Sequence, residues 1–356
     1  MPVYKDKLRG TWFVRYRMRR RDGTWTTSTK RGFPSKRDAQ CWELEYLTAK
    51  EQQPGFSVEE FAQLYCEDTR SRVRESTMEY RKQIIRKWIC PKLGKILLQD
   101  LTPRDILLWQ NELLAYWDPV SGKPLSANYI REIHDCLSTM LNHAVRFYHL
   151  ASNPAKAVKK QPLDPTEMVI WSREEYQLFA AVMMEKPRLY YCFEVLYWCG
   201  IREGEALALE PQDVDLEKGT ISITKTFYIL KGKPVIAPPK TPTSRREVTM
   251  PDFLRDEMAD FFRLVYDQDP SPRLFPFNKK VLIRALTWGA EKAGLPKIRV
   301  HDLRHSHISL LIHMGYSAVA IGKRVGHKSA EITYRYGHLM PTEQDEMARQ
   351  LELERR

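Results

Sequence analysis

The stretch HDLRHSHISLL, residues 301–311, admits two readings, and the choice between them decides the fold. His301 and His305 stand four apart, which on a helix would put both on one face and suit a zinc ion. His301 and Arg304 stand three apart, which also gives them a common face and suits a phosphate. A fixed guanidinium beside the pair repels Zn²⁺ and welcomes an oxyanion. The order is also not the His-Glu-x-x-His of a zinc protease. The phosphate reading is preferred, and with it the expectation of no metal.

Three other places in the same third of the chain carry phosphate-handling residue types. In CGIREGEALAL (199–209), Arg202 lies just past a helix-ending glycine, where the turn would hold it rigidly for bidentate contact. The competing reading there is an ion pair with a neighbouring glutamate. Gly326-His327 opens GHKSAEIT, a weak signal alone. Lys240, in PPKTPTSRREV, is expected in a Pro-flanked hairpin turn, with Lys231 and Lys233 as rivals. In ITYRYGHLM (332–340), Tyr334 and Tyr336 could both be packing residues, and Tyr336 stands nine positions past His327.

The order Arg202, hairpin lysine, HDLRH, GH, then tyrosine resembles the catalytic domain of the tyrosine recombinases, the phage-type integrase family. The resemblance covers nearly the whole chain, most firmly 190–340, and is strongest to integrases of conjugative transposons and temperate phages. It implies catalytic roles for Arg202, Lys240, His301, Arg304 and His327. Tyr336 would be the nucleophile, followed by Gly337 and His338, and Tyr334 would pack. It implies an enzyme that cuts and rejoins DNA through a covalent 3′-phosphotyrosine, without metal, ATP or other cofactor. It also implies a homo-tetramer on two duplexes, with accessory DNA-bending and excision factors. The alternatives are a type IB-like topoisomerase, a metal-dependent nuclease, and a non-catalytic DNA-binding regulator on the same scaffold.

Composition agrees with a nucleic-acid partner. The 356 residues hold 57 Lys and Arg against 45 Asp and Glu, a net charge of +12. No apolar run is long enough for a membrane span, no signal sequence is evident at the N-terminus, and the six cysteines form no CxxC pair. A cytoplasmic, nucleoid-associated bacterial protein is expected.

The pattern predicts a multidomain chain. Residues 1–52 read as a small α+β arm-type DNA-binding domain. In WFVRYRMRRR, Trp12, Val14, Tyr16 and Met18 alternate with Phe13, Arg15, Arg17 and Arg19. Arg15, Arg17, Arg19, Arg20 and Arg21 would form a cationic DNA-facing surface, and Asp22-Gly23 a hairpin turn. Residues 56–158 read as an all-α core-binding bundle, with capping boxes at Ser57/Glu60 and Ser76/Glu79, and Arg81 and Lys82 towards DNA. Its last helix is expected to start at Ser126 and stop at Asn153-Pro154. Residues 168–356 read as the mainly α catalytic domain with a small antiparallel sheet, two or three strands within 219–250, and a C-terminal tail. Met347 and Leu351 of that tail are four apart, suited to docking on a neighbouring protomer.

Overall fold

The computed structural model describes residues 3–6, 8–19, 25–51, 55–163, 169–239, 244–265 and 272–327. The chain divides into two compact units, Met1–Pro165 and Thr166–Arg356.

The first unit opens with three antiparallel strands, β1 (Val3–Asp6), β2 (Thr11–Arg19) and β3 (Trp25–Phe33), in the order β1-β2-β3. The alternation along β2 sorts its side chains. Val14 is fully buried, and Tyr16 and Phe33 lie with ring centroids 5.5 and 5.7 Å from Trp42 of α1 (Lys36–Glu51). Phe13 stacks on Tyr4 at 5.3 Å, with the guanidiniums of Arg31 and Arg15 over the Phe13 and Tyr4 rings. Ser35 starts α1 by accepting from the Asp38 N–H at 3.1 Å.

The remainder of this unit is helical: α2 (Val58–Thr69), α3 (Glu75–Ile84), a π-helical turn (Ile85–Ile89), α4 (Cys90–Leu93), α5 (Pro103–Ala115) and α6 (Ala127–Phe147), with β4 (Trp117–Asp118) and β5 (Lys123–Pro124) as a short bridge before α6. Phe61, Ile89, Ile106, Ile133 and Leu137 are fully buried in its core. Capping boxes form at Ser57/Glu60 and Thr102/Asp105. Two expectations are corrected. Arg74, in extended conformation, precedes α3 and its carbonyl accepts from Thr77 and Met78, so Ser76 sits inside the first turn and makes no box. The helix α6 ends at Phe147, where His149 adopts φ 55° and turns the chain away. Asn153 instead caps a separate 3₁₀ turn, Pro154–Ala157.

The second unit carries α7 (Arg173–Met183), α8 (Pro187–Cys199) and α9 (Glu203–Ala206), then β6 (Val214–Asp215), β7 (Thr220–Ile223), β8 (Thr226–Leu230), β9 (Lys233–Ala237) and β10 (Arg246–Thr249). Four helices follow: α10 (Asp252–Val265), α11 (Lys279–Lys292), α12 (Val300–His313) and α13 (Ala318–Val325). The stretch 219–250 thus holds four strands rather than two or three. β7 pairs with β6 and β10 in one antiparallel sheet, and β8 and β9 form a separate hairpin whose turn is Lys231-Gly232. Tyr176, Phe179, Phe193, Tyr197, Phe261 and Leu303 fill the core. Among the described residues no helix is long and apolar enough to cross a membrane.

Candidate active site

The site begins where α8 stops. Gly200 takes φ 60°, and a Cβ there would lie 2.3 Å from Cδ2 of His307, so both conformation and space require glycine. The carbonyl it exposes accepts from Nη1 of Arg304 at 2.8 Å. Two residues on, Arg202 caps α9. Its main-chain N–H and Nη1 donate to Glu205 at 2.9 and 2.8 Å, and its Nη2 donates to the carbonyl of Gly326 at 2.9 Å. The glutamate ion pair weighed for Arg202 therefore exists, and it leaves the side chain 36% exposed.

Glu205 is 3% exposed and holds a second guanidinium, with Nη2 of Arg246 at 2.9 Å from its Oε2. Burial raises the Glu205 carboxyl, but Arg246 and Arg202 outweigh it and leave the group below its ordinary range. Arg246 also donates to the carbonyls of Arg324 (2.8 Å) and Ser244 (3.1 Å). Arg324 in turn donates to Nε2 of His307 at 3.2 Å and to the carbonyls of Trp198 and Thr249.

The helix α12 presents His301 and Arg304 with the spacing read from the sequence. Arg304 is 3% exposed. His301 is exposed at the surface, yet partial desolvation of its ring, with His305, Arg304 and Arg202, pushes it down to about 4. His327, following the left-handed Gly326 that ends α13, is pushed to about 4 by burial, then Arg304 and Arg202. Both imidazoles are neutral at pH 7. His305 lies edge-on to His301 at 4.8 Å between centroids. Among the described residues no group of three or more His, Cys, Asp or Glu could hold a metal ion.

Four of the six catalytic candidates, Arg202, His301, Arg304 and His327, thus share one locus, since the charges of Arg202 and Arg304 both act on both histidines. Lys240, Tyr334, Tyr336, Gly337, His338, Met347 and Leu351 lie outside the described residues, as do Arg20, Arg21, Asp22 and Gly23. Of the rival lysines, Lys231 sits in the β8–β9 turn at φ 50° and Lys233 starts β9, exposed. Arg15 is exposed on the open face of the sheet, and Arg17 and Arg19 pair in register with Thr27 and Trp25. Arg81 donates to the Tyr65 hydroxyl at 2.7 Å, and Lys82 lies 3.8 Å from Glu79. Sequence reading missed Arg246, His307 and Arg324, which are tied to the site by contacts across long stretches of chain that no local spacing announces.

Comparison with known proteins matches three family models in chain order: an arm DNA-binding domain (2–50), the phage integrase N-terminal SAM-like domain (57–114) and the phage integrase family (170–343). The ICEBs1 integrase of Bacillus subtilis (strain 168) is 31% identical over 287 residues, 76% of each chain. The chain belongs to the phage integrase family. It is a tyrosine site-specific DNA recombinase, which favours that reading over the topoisomerase and the non-catalytic regulator. Two solved integrases share the multidomain fold. The Tn1549 transposon integrase in complex with transposon right end DNA superposes with a TM-score of 0.67 at 20% identity, covering 83% of this integrase and 98% of that chain. The lambda integrase tetramer bound to a Holliday junction gives 0.60 at 16%, covering 95% and 94%.

Proposed function

We propose that this integrase uses Tyr336 as its nucleophile and Arg202, Lys240, His301, Arg304 and His327 as the groups that make a phosphodiester yield to it. The phenol oxygen attacks the scissile phosphorus and the P–O5′ bond breaks. The 3′ end is left esterified to Tyr336, and a 5′ hydroxyl is released. Arg202 and Arg304 bind the non-bridging oxygens and neutralise the charge that builds there. A phenol has a pKa near 10, and the same cations favour its ionised form. His301 and His327, neutral at pH 7, orient the phosphate and accept or pass the phenol proton. Lys240 protonates the departing 5′ oxygen. A 5′ hydroxyl from another strand then attacks the phosphotyrosine and frees Tyr336, so the bond energy is kept and ATP is not needed.

The observation that carries this reading is the Arg202 guanidinium, which is bonded to Gly326 beside His327 and stands two residues from the glycine that holds Arg304. Residues 1–52, 56–158 and 168–356 act as arm-binding, core-binding and catalytic domains. The first two take arm-type and core-type attachment sites in double-stranded DNA, through the face bearing Arg15, Arg17, Arg19, Arg20 and Arg21 and through Arg81 and Lys82. Four protomers assemble on two duplexes, as the lambda relative does on a Holliday junction, with DNA-bending and excision factors assisting. The enzyme works in the cytoplasm on the nucleoid. The test is incubation with a nicked attachment-site duplex in EDTA, followed by denaturing electrophoresis. An SDS-resistant adduct is expected, absent in Tyr336→Phe and kept in Tyr334→Phe. An adduct mapping elsewhere, or none, ends the assignment.

A further inference from the structure

We propose that Arg246 is a positioning residue that keeps Arg202 electrically available to the scissile phosphate by sharing the Glu205 carboxylate. The inference rests on the reading of Arg202 given above. Glu205 is the acid bonded to Arg202, and it is buried, so a simple pair between them would be a neutral unit. Such a unit would present little field to a phosphate. Arg246 changes the count: two guanidiniums around one carboxylate leave a net charge of one, and the Arg202 side chain is the more exposed of the two.

Arg246 itself is not placed to touch DNA. Its side chain is 7% exposed, and its donors go to Glu205, the Arg324 carbonyl and the Ser244 carbonyl. Those bonds fasten the start of β10 to the last turn of α13 and to α9. Gly326 is shaped to admit it, since a Cβ there would come within 3.0 Å of the Arg246 Nη1. The Arg246 charge also acts on His327. The first residue of β10 therefore reaches Arg202 through the shared Glu205 carboxylate and His327 through its charge.

The experiment compares single-turnover adduct formation on two nicked duplexes, one with the natural scissile phosphodiester and one with an uncharged methylphosphonate there. In Arg246→Met the phosphodiester reaction should slow about 10²-fold, the scale of one lost preorganised electrostatic contact. The methylphosphonate reaction should change little, because it has less charge to stabilise. Arg246→Lys, which keeps the charge, should retain the wild-type ratio of the two rates. If the Met variant does not fold, Arg246→Gln, which still donates to Glu205, takes its place with the same expectation. Equal slowing on both substrates would make Arg246 a structural support only, and no slowing in a folded variant would remove it from the site; either overturns the proposal. Wild-type protein that forms no adduct on either duplex would instead overturn the Tyr336 assignment beneath it.

Discussion

Arg304 reaches across 104 positions of sequence to donate from Nη1 to the carbonyl oxygen of Gly200 at 2.8 Å. That carbonyl is available because Gly200 is left-handed, and His307 fills the space where a side chain would stand. Gly200→Ala should therefore cost at least about 1–2 kcal/mol for the backbone alone, with the steric clash added. Urea denaturation at pH 7.5 checks this. Adduct formation should fall further than stability does, because the anchor of Arg304 moves.

Arg202→Ala and Arg304→Ala should each slow cleavage by about 10²–10³-fold while leaving attachment-site binding within severalfold. Anisotropy titration against labelled duplex separates the two effects, with circular dichroism as the check on folding. An unchanged cleavage rate in either variant would take that arginine out of the chemistry.

Stability should depend on pH in two opposing ways. His301 and His327 are pushed down to about 4, and His307 to about 3, mainly by burial. The unfolded chain binds these protons near pH 6.5, where the native state does not, so their contribution is complete above 6.5 and lost as pH falls towards 4. Glu194 runs the other way. Burial pushes it up to about 7, so the native state gains stability as pH drops from 7 towards 4.5. Thermal midpoints from pH 8 to 4.5 should fall on acidification, and Glu194→Gln should steepen that fall and raise the midpoint at pH 8.

The open face of the arm sheet, where Arg15 and Arg31 lie over Tyr4 and Phe13, predicts a steep salt response for arm-site binding. Arg15→Ala should reduce the slope of log K against log salt by about 0.9 if it meets one phosphate. Arg81→Ala should act differently. Its guanidinium bonds the nearly buried Tyr65, so lost folding stability should exceed lost DNA affinity.

Much of the architecture was legible because it is written in short spacings. Ser57/Glu60 forms the capping box that its residue types suggest, and Gly200 ends α8 as read. Ser76/Glu79 has the same spacing and fails, because where a helix starts depends on where the preceding turn releases the chain. The end of α6 differs from the expected one for a related reason: His149 breaks the pattern through its backbone, a conformation that its side chain does not advertise. Arg202, His301, Arg304 and His327 were found from local motifs. The bonds of Arg246 to Glu205 and of Arg324 to His307 join residues 41 and 17 positions apart, and charge pairing at such separations has no periodic signature.

The β8–β9 hairpin stands apart from the three-stranded sheet, and Gly232 at its tip has nothing within 4 Å of where a Cβ would be. A reporter dye attached through Lys231→Cys would therefore have open space beside that tip. Cys41 is the exposed native thiol, and Cys41→Ser would remove its competition for the label. Energy transfer between differently labelled copies would then time the pairing of two attachment sites separately from the cutting of either.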